Sequence, residues 1–244
     1  MSEPVRIHSH EGLLDIVLNT PANGNLMSAE MGSLIIDAVF NLDEQIRLIR
    51  LSGEGEDFCA GRVSPMPKPG STPTGEALRR NVAMPALALY DALKTAPVPV
   101  LSVVHGKAYG VGCALAGVCD ITLAADDASF QIPEMERDIP PALVMSALIG
   151  RVPMKTIARM VLTRDLVGAH EAWQAGLASE VVPRAELRSR ADQIAATILT
   201  CSPVTVRAVK QFMELAPGLP VGTSSSLAGH LSGTALSAKF ERPA

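Results

Sequence analysis

Three short segments carry residue types at spacings that could do chemistry. The first runs Leu51-Ser52-Gly53-Glu54-Gly55-Glu56-Asp57-Phe58-Cys59-Ala60-Gly61-Arg62, an apolar stretch passing into a glycine-rich turn with a small residue beside a glycine. Small side chains let a ligand approach the backbone closely, although a plain turn after a strand has the same pattern. The second is His105-Gly106-Lys107-Ala108-Tyr109-Gly110-Val111-Gly112-Cys113-Ala114-Leu115-Ala116, a glycine-rich loop opening into an Ala/Leu helix. Free amides at a helix start form a ready anion site, helped by the helix dipole. Tight packing of helix on strand explains the same glycines. A dinucleotide fingerprint fails here, because Leu115 stands where the third glycine belongs. In the third segment, Ala128 to Pro141, Glu134 stands among Ile132, Pro133 and Met135. Partial desolvation there would raise the carboxyl pKa and make it a better general base near neutral pH. Glu136 and Asp138 alternate with it around Arg137, a pattern that also suits an ordinary solvated loop.

Other candidates are weaker. His8 and His10 alternate on an edge segment, as solvent-facing side chains do, and His105 ends a strand, where packing is the simpler role. The four cysteines form no CxxC pair and have no metal-ligand spacing with histidine, so no metal site is expected. Ser224-Ser225-Ser226 lacks the glycine setting of a hydrolase elbow.

The elements that must position these segments follow from pattern. Leu13–Leu18, Ile46–Leu51, Val98–Val104 and Ile121–Ala124 read as buried strands, and a helix capped by Ser28 is expected to run to about Phe40. Strands separated by helical stretches imply crossover units and a largely parallel sheet. Val63 to Gly75, with four prolines, reads as a surface loop. From about Pro153 the pattern turns to amphipathic helix, at Thr156–Leu162, Ala169–Ala175, Ala185–Leu199 and Val204–Leu215. The expected organisation is an α/β core over 1–190 and a helical C-terminal region over 191–244.

Composition bounds the partners. At 244 residues, 48% hydrophobic and 3% aromatic, the chain can bury a sizeable core built on aliphatic side chains. A net charge of −4 without a basic stretch disfavours nucleic acid and membrane surfaces. No secretory signal is visible, and the apolar run from Val98 to Cys119 is broken by His105 and Lys107, so a cytoplasmic location is expected.

Taken in order, these pieces resemble the crotonase (enoyl-CoA hydratase/isomerase) superfamily from about Val5 to Phe240. The resemblance rests on Asn19-x-Pro21 with Asn25, Phe58-Cys59-Ala60-Gly61, Gly110-x-Gly112-Cys113, Cys119-Asp120 and Phe130-x-x-Pro133-Glu134. It continues through Glu171-Ala172-x-x-x-Gly176-Leu177 and Val181-Val182-Pro183.

The resemblance implies a ClpP/crotonase-like α/β fold, a ββα spiral core with helical C-terminal region. It implies an acyl-CoA thioester as substrate, with no separate cofactor. Ala60 N–H and Val111 N–H are then the expected oxyanion donors for the thioester carbonyl. Glu134 matches one of the two catalytic glutamates of the hydratases, and the other falls on Ala114, which cannot hold water. Moving a double bond needs one base, so the pattern leans toward an enoyl-CoA isomerase. The alternatives are a hydratase recruiting Glu136 or Asp138, and an inactive CoA-binding scaffold. Substrate and CoA contacts are expected at Asn23, Gly24, Arg62, Gly110 and Lys239, and assembly as a homotrimer or hexamer.

Overall fold

The computed structural model describes residues 3–68 and 70–240. Its strands are β1 (Val5–His10), β2 (Leu13–Leu18), β3 (Leu48–Gly53), β4 (Val100–Val104), β5 (Lys107–Tyr109), β6 (Ile121–Ala125), β7 (Ser129–Gln131), β8 (Val167–Gly168) and β9 (Glu180–Val182). They form one sheet of order β1-β2-β3-β4-β6-β9 and a smaller one of order β5-β7-β8. Within the larger sheet only the edge strand β1 runs antiparallel, pairing Val5 with Leu18 and His10 with Leu13.

The helices are α1 (Ala29–Phe40), α2 (Gly75–Leu78), α3 (Met84–Lys94), α4 (Val111–Val118), α5 (Ala142–Leu148), α6 (Met154–Thr163), α7 (Ala169–Gln174), α8 (Leu187–Leu199), α9 (Pro203–Leu215) and α10 (Val221–Ser237). Ser28 caps α1 as its sequence position suggests, its hydroxyl accepting from Met31 N–H at 3.1 Å. The buried Met31, Ile35 and Val39 recur every four residues on the face turned to the sheet. A π-turn over Arg79–Ala83 joins α2 to α3.

Central strands of a covered parallel sheet are buried on both faces. Accordingly Ile49, Val100 and Ala124 enter one core, with α1, α3 and α4. Their neighbours Leu48, Leu101 and Leu123 enter a second core against Leu187, Ala191 and Ala195 of α8. The boundary expected between 190 and 191 therefore falls inside a helix whose apolar face completes the core. The α/β unit extends through α8, and only α9 and α10 lie beyond it. Expected strand starts also shift: Pro99 has no N–H to donate, and β4 begins at Val100, while the Pro99 carbonyl still accepts from Ile49 N–H at 3.0 Å.

The α9 helix is anchored by a buried ion pair, Lys210 Nζ to Asp120 at 2.7 Å, and α10 packs on α9 with no buried residue of its own. No helix among the described residues is long and apolar enough to cross a membrane.

Candidate active site

Two chain segments meet beyond the ends of β3 and β4. After β3 the turn Gly53–Ala60 comes back beneath the loop that follows β4. Phe58 N–H donates to His105 O at 2.9 Å, Cys59 N–H to Lys107 O at 2.9 Å, and Tyr109 N–H returns to Cys59 O at 3.0 Å. Asn25, fully buried, ties the turn from the other side: its Nδ2 donates to Glu54 O at 2.9 Å and to Asp57 O at 2.7 Å.

This crossing makes one wall of a cavity of ≈ 310 Å³. Ala60, Arg62, Gly110, Val111 and Glu134 all line it, beside apolar groups that include Leu26, Ala86, Leu143 and Val144. Val111 is the first residue of α4, so its N–H has no acceptor in the helix, and Gly110 supplies no side-chain cap. Gly110 has φ +50°, and a Cβ there would lie 2.8 Å from Glu134 Oε1, so glycine is what lets the carboxyl approach the helix start. A Cβ at Gly112 would lie 2.1 Å from Cys59 O, so the second glycine admits the turn against α4. Both glycines thus serve close approach within the chain, Gly110 to a side chain and Gly112 to backbone.

Ala60, one of the two expected donors, lines the cavity and has an acceptor within the chain. Its N–H donates to Gly24 O at 2.8 Å and is not free for a ligand. Two residues on, the chain pairs with Met27: Met27 N–H donates to Gly61 O at 2.9 Å, and Val63 N–H to Met27 O at 3.1 Å. Successive peptide groups along an extended chain point to opposite sides. The Arg62 amide therefore faces away from Met27, with no acceptor among the described residues. Gly61, Arg62 and Ser64 on this loop, and Val111 at the start of α4, are cavity-lining residues whose N–H groups have no acceptor among the described residues.

Glu134 opens a 3₁₀ turn (Glu134–Arg137) and sits half-buried on the cavity wall. Its Oε2 is buried without a hydrogen-bond partner among the described residues. Burial pushes its carboxyl above the usual carboxylate range, opposed by its own backbone N–H and by Arg137. Glu136 and Asp138 are exposed and absent from the cavity wall, so neither faces this site as a second acid. Ala114 is fully buried in α4 behind the wall.

Three further expected contacts are not brought here. Asn23 is exposed, its Oδ1 accepting Leu26 N–H at 3.2 Å; Gly24 gives its carbonyl to Ala60; Lys239 is exposed just past α10. His105 is packed, Nε2 lying 3.0 Å from Gly55 O, with burial lowering its pKa. The buried thiols of Cys59 and Cys113 are pushed up to about 11 and about 12, chiefly by burial, which favours the neutral thiol. Among the described residues no three His, Cys, Asp or Glu side chains converge as metal ligands. A larger cavity, ≈ 620 Å³, lies on the opposite face of the sheet; of its four arginines, Arg6, Arg50 and Arg184 are paired with Glu54, Asp15 and Asp127, and Arg188 lines it beside them.

Sequence reasoning missed Tyr90, which lines the cavity from α3. Of the chain's two tyrosines, Tyr109 stands in a segment that the sequence singles out and Tyr90 does not, although both line the cavity.

A largely parallel sheet leads into the start of α4, and a half-buried carboxyl lines the same cavity as that helix start. The chain matches the Enoyl-CoA hydratase/isomerase family over residues 8–220 and belongs to that family. It is 32% identical over 198 residues to enoyl-CoA hydratase domain-containing protein 3, mitochondrial, of Xenopus laevis, covering 80% of this chain and 66% of that protein. The chain thus spans a little under two thirds of that relative's length. It is 28% identical over 230 residues to carnitinyl-CoA dehydratase of Escherichia coli O157:H7, covering 93% of this chain and 86% of the other. The crystal structure of human enoyl Coenzyme A hydratase domain-containing protein 3 superposes with TM-score 0.86 at 28% identity, covering 94% of this chain and 90% of that one. The fold is the crotonase fold, with a helical C-terminal region.

Proposed function

We propose that this chain binds an acyl-CoA thioester and carries its chemistry through an enolate, with Glu134 as acid and base. One observation carries the reading: a buried, unpartnered carboxyl oxygen lies on the wall of a cavity also lined by residues with free amides, Val111 at the start of α4 and Gly61 and Arg62 on the facing turn. The amides would hold the thioester oxygen as it gains negative charge. Each such fixed donor contributes roughly 2.7–4 kcal/mol in the transition state. The α4 dipole adds positive potential at Val111.

With a single carboxyl, the reaction best served is a double-bond shift. Ionised Glu134 takes a proton from C2 of a 3-enoyl-CoA, and the electron pair moves to the thioester oxygen. The enolate then collapses: the carbonyl re-forms, the double bond moves to C2–C3, and Glu134 returns the proton at C4. The carboxylate is regenerated.

Incubation with a 3-enoyl-CoA should give the 2-enoyl-CoA isomer at unchanged mass. Unchanged turnover in Glu134→Gln would overturn the assignment. The names of the relatives favour a second reading, hydration; mass gain of one water on a 2-enoyl-CoA would select it. Turnover of neither substrate, with binding retained, would leave the scaffold reading.

Exposed apolar side chains on the last helices, among them Val209, Met213, Val221 and Leu236, support a self-associating face. The reading is a homotrimer or pair of trimers, tested by light scattering on the eluting protein; a monomer mass would overturn it.

A further inference from the structure

Besides Glu134 Oε2, one other polar atom on the cavity wall is buried without a hydrogen-bond partner among the described residues: the Tyr90 hydroxyl. Tyr90 is 2% exposed, one turn along α3 from Ala86. Phenylalanine would fill the same space without a stranded hydroxyl, and such a group costs roughly 1–3 kcal/mol when buried unpaired. The double-bond shift makes no use of it.

Its surroundings say what it could meet. Burial, and next the Glu134 carboxylate, hold the phenol well above its ordinary range, so it stays protonated and donates. Arg62, half-buried on the same wall, spends one N–H on Val82 O at 2.8 Å and has no carboxylate partner among the described residues. Tyr90 and Arg62 thus offer donors to this cavity, and the unpartnered acceptor on its wall, Glu134 Oε2, is the group that the proton-transfer chemistry uses.

We propose that the Tyr90 hydroxyl is a specificity-determining group, donating to an oxygen borne on the acyl chain, so that the substrates are oxo- or carboxy-substituted acyl-CoA thioesters. A plain alkyl chain would cover the hydroxyl and leave it dry. Sites built to hydrogen-bond a substrate oxygen reject the analogue lacking it far more strongly than an apolar pocket rejects a methylene. The inference rests on reading this cavity as the acyl site.

Calorimetric titration of the whole chain with butanoyl-CoA, acetoacetyl-CoA and succinyl-CoA tests it without requiring proton transfer. Wild type should bind acetoacetyl-CoA or succinyl-CoA about 10-fold or more tighter than butanoyl-CoA. Tyr90→Phe should erase that preference while leaving butanoyl-CoA affinity equal or improved. Equal wild-type affinity for all three overturns the inference and leaves the acyl site standing. So does a parallel loss for all three in Tyr90→Phe, the mark of a merely structural tyrosine. Binding of none overturns the acyl-site reading itself. If the variant folds poorly, absence of the preference in wild type still overturns the inference.

Discussion

Two buried carboxyl groups in this chain have opposite surroundings. Asp120, 2% exposed in its side chain, is held by Lys210 Nζ at 2.9 and 2.7 Å, by Val100 N–H at 2.9 Å and by Arg151 at 3.4 Å. Lys210 spends a further N–H on Lys94 O at 3.0 Å. Glu134 leaves Oε2 with no partner at all among the described residues. The first arrangement ties α9 to the start of β4 and the turn before β6. The second leaves a base unsatisfied on a cavity wall. Satisfied charge builds the fold here; unsatisfied charge is what a substrate can use.

The contrast makes measurable claims. Glu134→Gln should lower turnover of a 3-enoyl-CoA by about 10²–10⁴-fold, with stability to urea equal or higher, since a partly desolvated carboxylate is removed. Lys210→Met should do the reverse. It strands Asp120 and should cost about 3–5 kcal/mol in urea unfolding, with turnover per folded molecule retained. Loss of activity without loss of stability there would break the comparison.

Val111→Pro tests the amide directly, because proline is tolerated at the first helical position and only the N–H is lost. Turnover should fall roughly 10²–10³-fold with little change in unfolding midpoint. A matching loss in stability would show that the amide is structural.

The pH dependence is gentler. With the Glu134 pKa raised, the folded state holds that proton more tightly than the unfolded chain does. Its contribution to stability therefore falls as pH rises from the unfolded value, about 4.3, through the folded value, and is level above it. Turnover should rise over the same window as the carboxylate forms. Urea titrations across that range should show the fall in wild type and lose it in Glu134→Gln. The smallest effects belong to Glu136→Gln and Asp138→Asn, both exposed, which should stay within about 0.5 kcal/mol of wild type with unchanged turnover.

Much of this was legible before the fold. Ser28 announced the start of α1, the unbroken apolar runs announced strands buried on both faces, and Glu134 among apolar neighbours announced a raised carboxyl. These are local facts, set by propensity, capping and hydrophobic pattern along a few consecutive residues. The domain boundary was not legible, because the face of α8 is defined by Leu13, Leu48 and Leu101 of distant strands.

What the linear chain determined, then, was the family, the glycine that lets the Glu134 carboxyl approach the start of α4, and the carboxyl itself. Only the tertiary structure decided which amides are free and which hydroxyl is dry. Whether an N–H can serve a substrate depends on what already accepts it: Gly24, thirty-odd residues upstream, takes the amide of Ala60, while extended pairing with Met27 leaves that of Arg62 without an acceptor among the described residues. Tyr90 is polar in any sequence reading, and its missing partner emerges only when α3 closes over the site. Hydrogen-bond satisfaction is a sum over everything within about 3 Å, and sequence neighbours supply only part of it.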